Sequence, residues 1–450
     1  MAEVFPFRGY RYNTEKIKDI SSVVTQPYDK ITSALQEKYY AEHEKNVVRI
    51  ILGKKETGDG EVDNQYTRAR AYLGEWIGEG TFVKEKEPAI YAYFQEYTLP
   101  NGMRKTRRGF VAMCRLMDYA EGGVKPHEKT LAGPKADRLN LLRATQSNFG
   151  QIFMLYSDPE LAIDDILDEA AKNPPVADAF VGETERHSLW PITDPEKIAV
   201  IRNVMKDRPV FIADGHHRYE TALNYRDEMR RAGAKCEGAE SFENRMMTFV
   251  NMDDEGLTIF PTHRLIFDVP GFDGKKLVGQ LEDLFSIREF AFDEESENSV
   301  RREFLEDLRI EGMSGRCLGL FITGEKRYLL LTFSDGKHIE ELIAEDRPKE
   351  WKELDVNILH ILVLERLLGI GAEQLEAQSN VHYERSADSA IDKVKAGDYQ
   401  ITFLMNPTKV AQVKAVAAAG ERMPQKSTDF FPKLLTGMVF TKLNIIADRD

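Results

Sequence analysis

Val210-Phe211-Ile212-Ala213-Asp214-Gly215-His216-His217-Arg218-Tyr219-Glu220-Thr221-Ala222-Leu223 is the stretch from which the fold is read. A short apolar run predicts a buried strand, Asp-Gly interrupts it, and Tyr219, Ala222, Leu223 and Tyr225 have the spacing of one helix face. The chain therefore passes from strand to helix with Asp214, His216, His217 and Arg218 at the corner. A helix start exposes unpaired backbone N–H groups, and glycine turns tightly or takes φ > 0. Such a corner suits an anion, with Arg218 as a bidentate clamp. The alternative is an ordinary Asp-Gly turn with a solvated His-His-Arg surface.

The 450 residues predict two or three domains, and 42% hydrophobic with 30% charged residues is a soluble balance. A net charge of −14 argues against broad affinity for nucleic acid or an anionic membrane, while leaving room for a local basic pocket. Cys114, Cys236 and Cys317 have neither zinc nor redox spacing, and no metal-ligand motif is expected. With no signal peptide or long apolar run, the expected location is cytoplasmic.

Toward the N-terminus, residues 20–31 predict a strand running into a loop at Pro27, with Tyr28 and Asp29 as pocket candidates. Residues 33–43 predict a helix, 47–52 a strand and 66–78 a helix. Residues 90–99 and 107–117 predict a hairpin around Pro100-Asn101-Gly102-Met103. Val124 to Thr130 and Gly133 to Arg138 then gather His127, Glu128, Lys135 and Arg138. These supply an acid or base together with phosphate-sized cation clamps, or else a solvated loop and helix cap. Residues 176–182 and 186–192 predict a second hairpin, and 245–251 a strand.

From about residue 272, helices at 277–284 and 300–311 with strands at 316–323, 327–333 and 339–342 predict a further α+β region. A helix over 355–369 follows, then a helix at 387–395, a strand at 400–405 and a helix at 409–418. In the polar stretch after Glu421, Lys426, Ser427 and Thr428 are candidate phosphate or carboxylate contacts. The expected domains are 1–268 bearing the motifs, 269–378 as a second α+β domain or insertion, and 379–450 packing back on the first. Neither phosphate-loop nor dinucleotide-fingerprint spacing occurs.

Taken together, FPFRGYRY, VVTQPYDKI, KPHEKT with KADRL, IADGHHRYETAL and ERMPQKSTDFFPKL resemble the family called domain of unknown function 1015, along essentially the whole chain. DGHHR also distantly resembles the Gly-x-x-Arg corner of the ParB-like, sulfiredoxin and free-serine-kinase superfamily. That resemblance implies an α+β fold, a mixed sheet with a ParB/sulfiredoxin-like core and an additional α+β domain. It implies Gly215 for close backbone approach, His216 and His217 for phosphate or polar contacts, and Arg218 as the anion clamp. Asp214 would bind a metal–nucleotide complex or orient a histidine, and Glu128, or Asp29 in its place, would activate a hydroxyl.

The sulfiredoxin cysteine is missing from this corner, and no helix-turn-helix accompanies it. The leading expectation is a protein that binds a nucleotide or phosphorylated small molecule, in its enzymatic form a kinase or phosphohydrolase. ATP or ADP with Mg²⁺ would be the cofactor and a hydroxyl-bearing small molecule the partner, with neither nucleic acid nor membrane as partner and a homodimer left open. Lys135, Arg138 and Lys426 would assist Arg218 in holding the phosphates. The rivals are a non-catalytic regulator and a metal-dependent hydrolase using His127, Glu128, Asp214 and His216.

Overall fold

The computed structural model describes residues 2–126, 133–334 and 339–446. They fall into two compact units, one of residues 2–126, 133–258 and 432–446, the other of residues 259–334 and 339–431. Both units are mixed α and β.

The first unit is built on a nine-stranded sheet. Its strands are β1 (Val4–Phe5), β2 (Ile90–Thr98), β3 (Arg104–Arg115), β4 (Val124–Pro126), β5 (Ile152–Tyr156), β6 (Ala177–Val181), β7 (Glu185–Ile192), β8 (Val210–Asp214) and β9 (Asn244–Asn251). The order across the sheet is β4-β8-β5-β9-β3-β2-β7-β6, with β1 paired to β3. β8 runs parallel to β4 and antiparallel to β5, while β9 is parallel to β5 and antiparallel to β3. Strands buried on both faces need continuous apolar sequence, and β5 and β8 have it.

Against one face pack Ile163 and Leu167 of helix α1 (Ala162–Ala170), Ile198, Ile201 and Met205 of α2 (Pro195–Lys206), and Tyr219 and Ala222 of α3 (His216–Arg231). Both expected hairpins form. At the first, Gly102 adopts φ +81° and its N–H donates to the Leu99 carbonyl at 2.8 Å.

Three expected strands are helical instead. Residues 48–51 form one helical turn, and the Asn46 carboxamide oxygen just before it accepts the Val48 N–H at 2.9 Å. A stretch this short fits a buried strand and a buried turn equally well. Residues 20–31 contain two 3₁₀ turns, Ile20–Ser22 and Tyr28–Lys30, the first capped by Asp19. Ile339–Leu342 is likewise a helical turn.

In the second unit a six-stranded antiparallel sheet is formed by β10 (His263–Ile266), β11 (Phe285–Ala291), β12 (Cys317–Ile322), β13 (Arg327–Phe333), β14 (Val381–Glu384) and β15 (Ile401–Met405). Its order is β11-β13-β12-β15-β10-β14. The helix expected over 355–369 forms, and it widens to π-helical geometry over Ile358–Glu365.

Candidate functional site

Gly215 joins β8 to α3 with φ +95°, a left-handed conformation that glycine adopts without the steric penalty of a β-carbon. Arg218, one turn into α3, folds back over it. A β-carbon on Gly215 would stand 2.9 Å from Arg218 Nε, and one on Gly150 would stand 3.4 Å from Arg218 Nη1. The close approach expected at Gly215 is thus made by the protein's own guanidinium. Arg218 Nη1 donates to the Gln151 carbonyl, and Nη2 stands 3.6 Å from Asp214 Oδ1.

Asp214 is a quarter exposed, at 26%. Burial pushes its carboxyl pKa up, but Lys433, Arg218, Lys30 and His216 outweigh that and hold it well below the usual carboxylate range. Lys433 Nζ lies 3.4 Å from Asp214 Oδ2. An acid held this low is a weak proton acceptor but a permanent charge, which suits orienting cations rather than general base work.

On the far side of Arg218 a cavity of about 50 Å³ is lined by Tyr28, Arg138, Gly150, Arg218, Arg245 and Thr436, among others. Space for one water takes roughly 10–15 Å³ by this measure, so the cavity is on the scale of a phosphate group. Among the described residues three arginines line it and no carboxylate does. Arg138 has its own acid, Asp137, at 2.8 Å, and its guanidinium lies 4.1 Å from the centre of the Tyr28 ring. Tyr28, whose hydroxyl pKa burial raises, brings a phenol to the same wall.

Arg245 is the exceptional member. At the start of β9, paired with Cys114 of β3, it is 7% exposed. Its Nη2 donates to the Gly150 carbonyl at 2.9 Å, and among the described residues Nε has no partner and no carboxylate forms an ion pair with it. Burial, with Arg218 adding to it, pushes its pKa down to about 9. A buried charge without a counter-charge is destabilising by several kcal/mol unless an anion completes it. Nothing in the sequence marks Arg245, because one arginine at the head of an apolar strand resembles a solvated strand end.

Of the remaining expected site residues, Lys135 and Asp29 lie near enough to His217 to act on it electrostatically, as does Arg218. His216 is buried and His217 half-buried, with burial lowering the His217 pKa. Lys135 forms an ion pair with Glu220 on α3. Asp29 is exposed. Lys426, Ser427 and Thr428 belong to the second unit. There the Lys426 carbonyl accepts from Arg264 Nη2 at 3.1 Å and Ser427 Oγ donates to the Pro424 carbonyl at 2.6 Å. His127 and Glu128 lie outside the described residues. Among the described residues no three histidine, cysteine or carboxylate side chains gather as a metal site, and no helix is long and apolar enough to cross a membrane.

No curated protein matches the chain. Among solved structures, a conserved hypothetical protein from Pyrococcus furiosus shares 13% identity at a TM-score of 0.32, over 75% of this chain and 94% of its own. A free serine kinase in complex with AMP shares 12% at 0.34, over 75% and 90%. SbnI with a C-terminal truncation from Staphylococcus aureus shares 10% at 0.32, over 72% and 85%. The family described as protein of unknown function (DUF1015) matches residues 4–357, which include the whole Asp214 to Arg218 corner, and the chain belongs to that family.

Proposed function

We propose that the first unit binds a phosphorylated small molecule, with its phosphate in the cavity between Arg138, Arg218 and Arg245. The observation that supports this reading is Arg245, a buried guanidinium whose Nε has no partner, on a cavity wall without a carboxylate, both among the described residues. Phosphate is the natural complement of such a set, because planar guanidinium groups grip its oxygens through paired, charge-assisted hydrogen bonds. The cavity takes the phosphate end of a nucleotide such as ATP or ADP, and Mg²⁺ would neutralise the phosphates further out.

In its enzymatic form this reading is phosphoryl transfer to a hydroxyl-bearing small molecule, with Glu128 as base assisted by His127, and with His216 and His217 contacting the phosphates. In its regulatory form binding alone suffices. Calorimetry with inorganic phosphate, AMP, ADP and ATP, each with and without Mg²⁺, and with adenosine as control, tests the binding. Phosphate-bearing compounds should bind, adenosine should not, and Arg245→Gln should weaken binding about tenfold or more, roughly 1.4 kcal/mol. Unchanged phosphate affinity in Arg245→Gln, or equal binding of adenosine, sinks the proposal. Turnover abolished by Arg218→Ala in a folded protein selects the enzyme, and binding without turnover selects the regulator.

A further inference from the structure

The second unit contains a cavity of about 280 Å³, the size of a small metabolite, with a strongly polar lining. Charges of both signs reach it: Lys409, Arg316 and Arg264, with Asp355 and Glu353. Glu353 is satisfied by Arg316, whose Nη1 lies 3.0 Å from its Oε1. Arg264, 2% exposed, is held by backbone carbonyls, donating to that of Lys426 at 3.1 Å and to that of Thr262.

Two unlike charges remain. Lys409 Nζ donates to the Met313 carbonyl at 2.7 Å and forms no ion pair with a carboxylate among the described residues. Asp355 has neither a side-chain hydrogen bond nor an ion pair among them. Both line the same cavity with no close ion pair between them, although Lys409 and Arg316 act on the Asp355 carboxyl electrostatically.

The backbone around the cavity is polarised in the same sense. Gly312 and Ser314, at the carbonyl end of the 18-residue helix Glu297–Ser314, line it. So do Lys409 and Gln412, at the N–H end of the helix Val410–Ala418. Helix ends carry partial charges of roughly half an electron, negative at the first and positive at the second. Asn406, whose Nδ2 donates to the Leu308 carbonyl at 3.1 Å, gives the wall a fixed polar group.

We propose that this cavity binds a small zwitterion of the α-amino acid class, with its carboxylate toward Lys409 and the first turn of Val410–Ala418 and its ammonium toward Asp355. A dianion is disfavoured by the two acids in the lining, and an apolar ligand by the scarcity of apolar wall. The proposal does not rest on phosphate binding in the first unit.

The test is calorimetry of the full chain with free L-amino acids, one at a time, each beside its 2-hydroxy acid and its decarboxylated amine. The expected result is saturable one-to-one binding of at least one amino acid. Its two analogues should bind about tenfold more weakly or worse, as should the amino acid to Asp355→Asn and to Lys409→Gln, while Arg245→Gln leaves its binding unchanged. The proposal is overturned if no amino acid binds, if the hydroxy acid or the amine binds as tightly, or if both second-unit variants keep the affinity. Should a variant fail to fold, crystals of the unaltered protein soaked with the best binder decide the matter. An ammonium on Asp355 supports the proposal, and any other placement overturns it.

Discussion

Arg218 occupies the space that a side chain on Gly215 would fill, with Nε only 2.9 Å from where the β-carbon would stand. The glycine is therefore needed twice, for its φ of +95° and for the room it leaves the guanidinium. Gly215→Ala should destabilise the protein by roughly 1–3 kcal/mol, combining a left-handed non-glycine residue with a displaced Arg218. It should also weaken phosphate binding. Thermal unfolding reads the first effect and calorimetry the second; unchanged stability would contradict the packing described.

Arg245→Met separates stability from binding. Losing a buried, uncompensated charge should stabilise the ligand-free protein by about 1 kcal/mol or more, even though the bond to the Gly150 carbonyl goes with it. The same variant should lose phosphate affinity. Higher stability with lost binding in denaturant titrations marks a ligand residue, whereas lower stability would mark Arg245 as structural.

Asp214 ties the corner to acid stability. Its carboxyl pKa is depressed, chiefly by Lys433 and Arg218 acting against burial. A depressed acid contributes stability above its unfolded pKa of about 3.9 and loses it as pH falls toward the folded value. Lys433→Met should raise the Asp214 pKa and move the acid-unfolding midpoint to higher pH. An unmoved midpoint in a circular-dichroism titration would argue against this coupling.

Asp355 should behave in the opposite sense. Burial pushes its carboxyl up to about 7, against the pull of Lys409 and Arg316. A raised acid binds more protons in the folded than in the unfolded state, so stability declines as pH rises from about 4 to 7. Asp355→Asn should flatten that decline and unfold at a higher temperature than the unaltered protein at pH 7, with little difference near pH 4. Thermal scans across this range provide the check.

Local patterns were legible where one short stretch carried the whole physical cause. Pro100-Asn101-Gly102-Met103 announced its hairpin because the turn needs Gly102 at positive φ. DGHHR announced its strand-helix corner because Gly215 can take the left-handed turn between an apolar run and a helical face. Residues 48–51 misled because three apolar residues and one arginine have no resolvable period, and the Asn46 side chain that accepts the Val48 N–H lies outside the run.

The sequence by itself determined the strand-helix corner, most of the longer elements, and Arg218 as the cation at that corner. Only the tertiary structure decided what surrounds that cation. Arg245 follows Arg218 by 27 positions and Gly150 precedes it by 68, and the pairing of β9 with β3 and the packing of α3 on the sheet bring all three to one cavity. Lys433 stands on Asp214 because residues from 432 onward belong to the first unit. The physical reason is range. Turn and helix preferences act over a few residues, whereas the burial that turns an ordinary arginine into an uncompensated charge depends on strands and helices far apart in the chain.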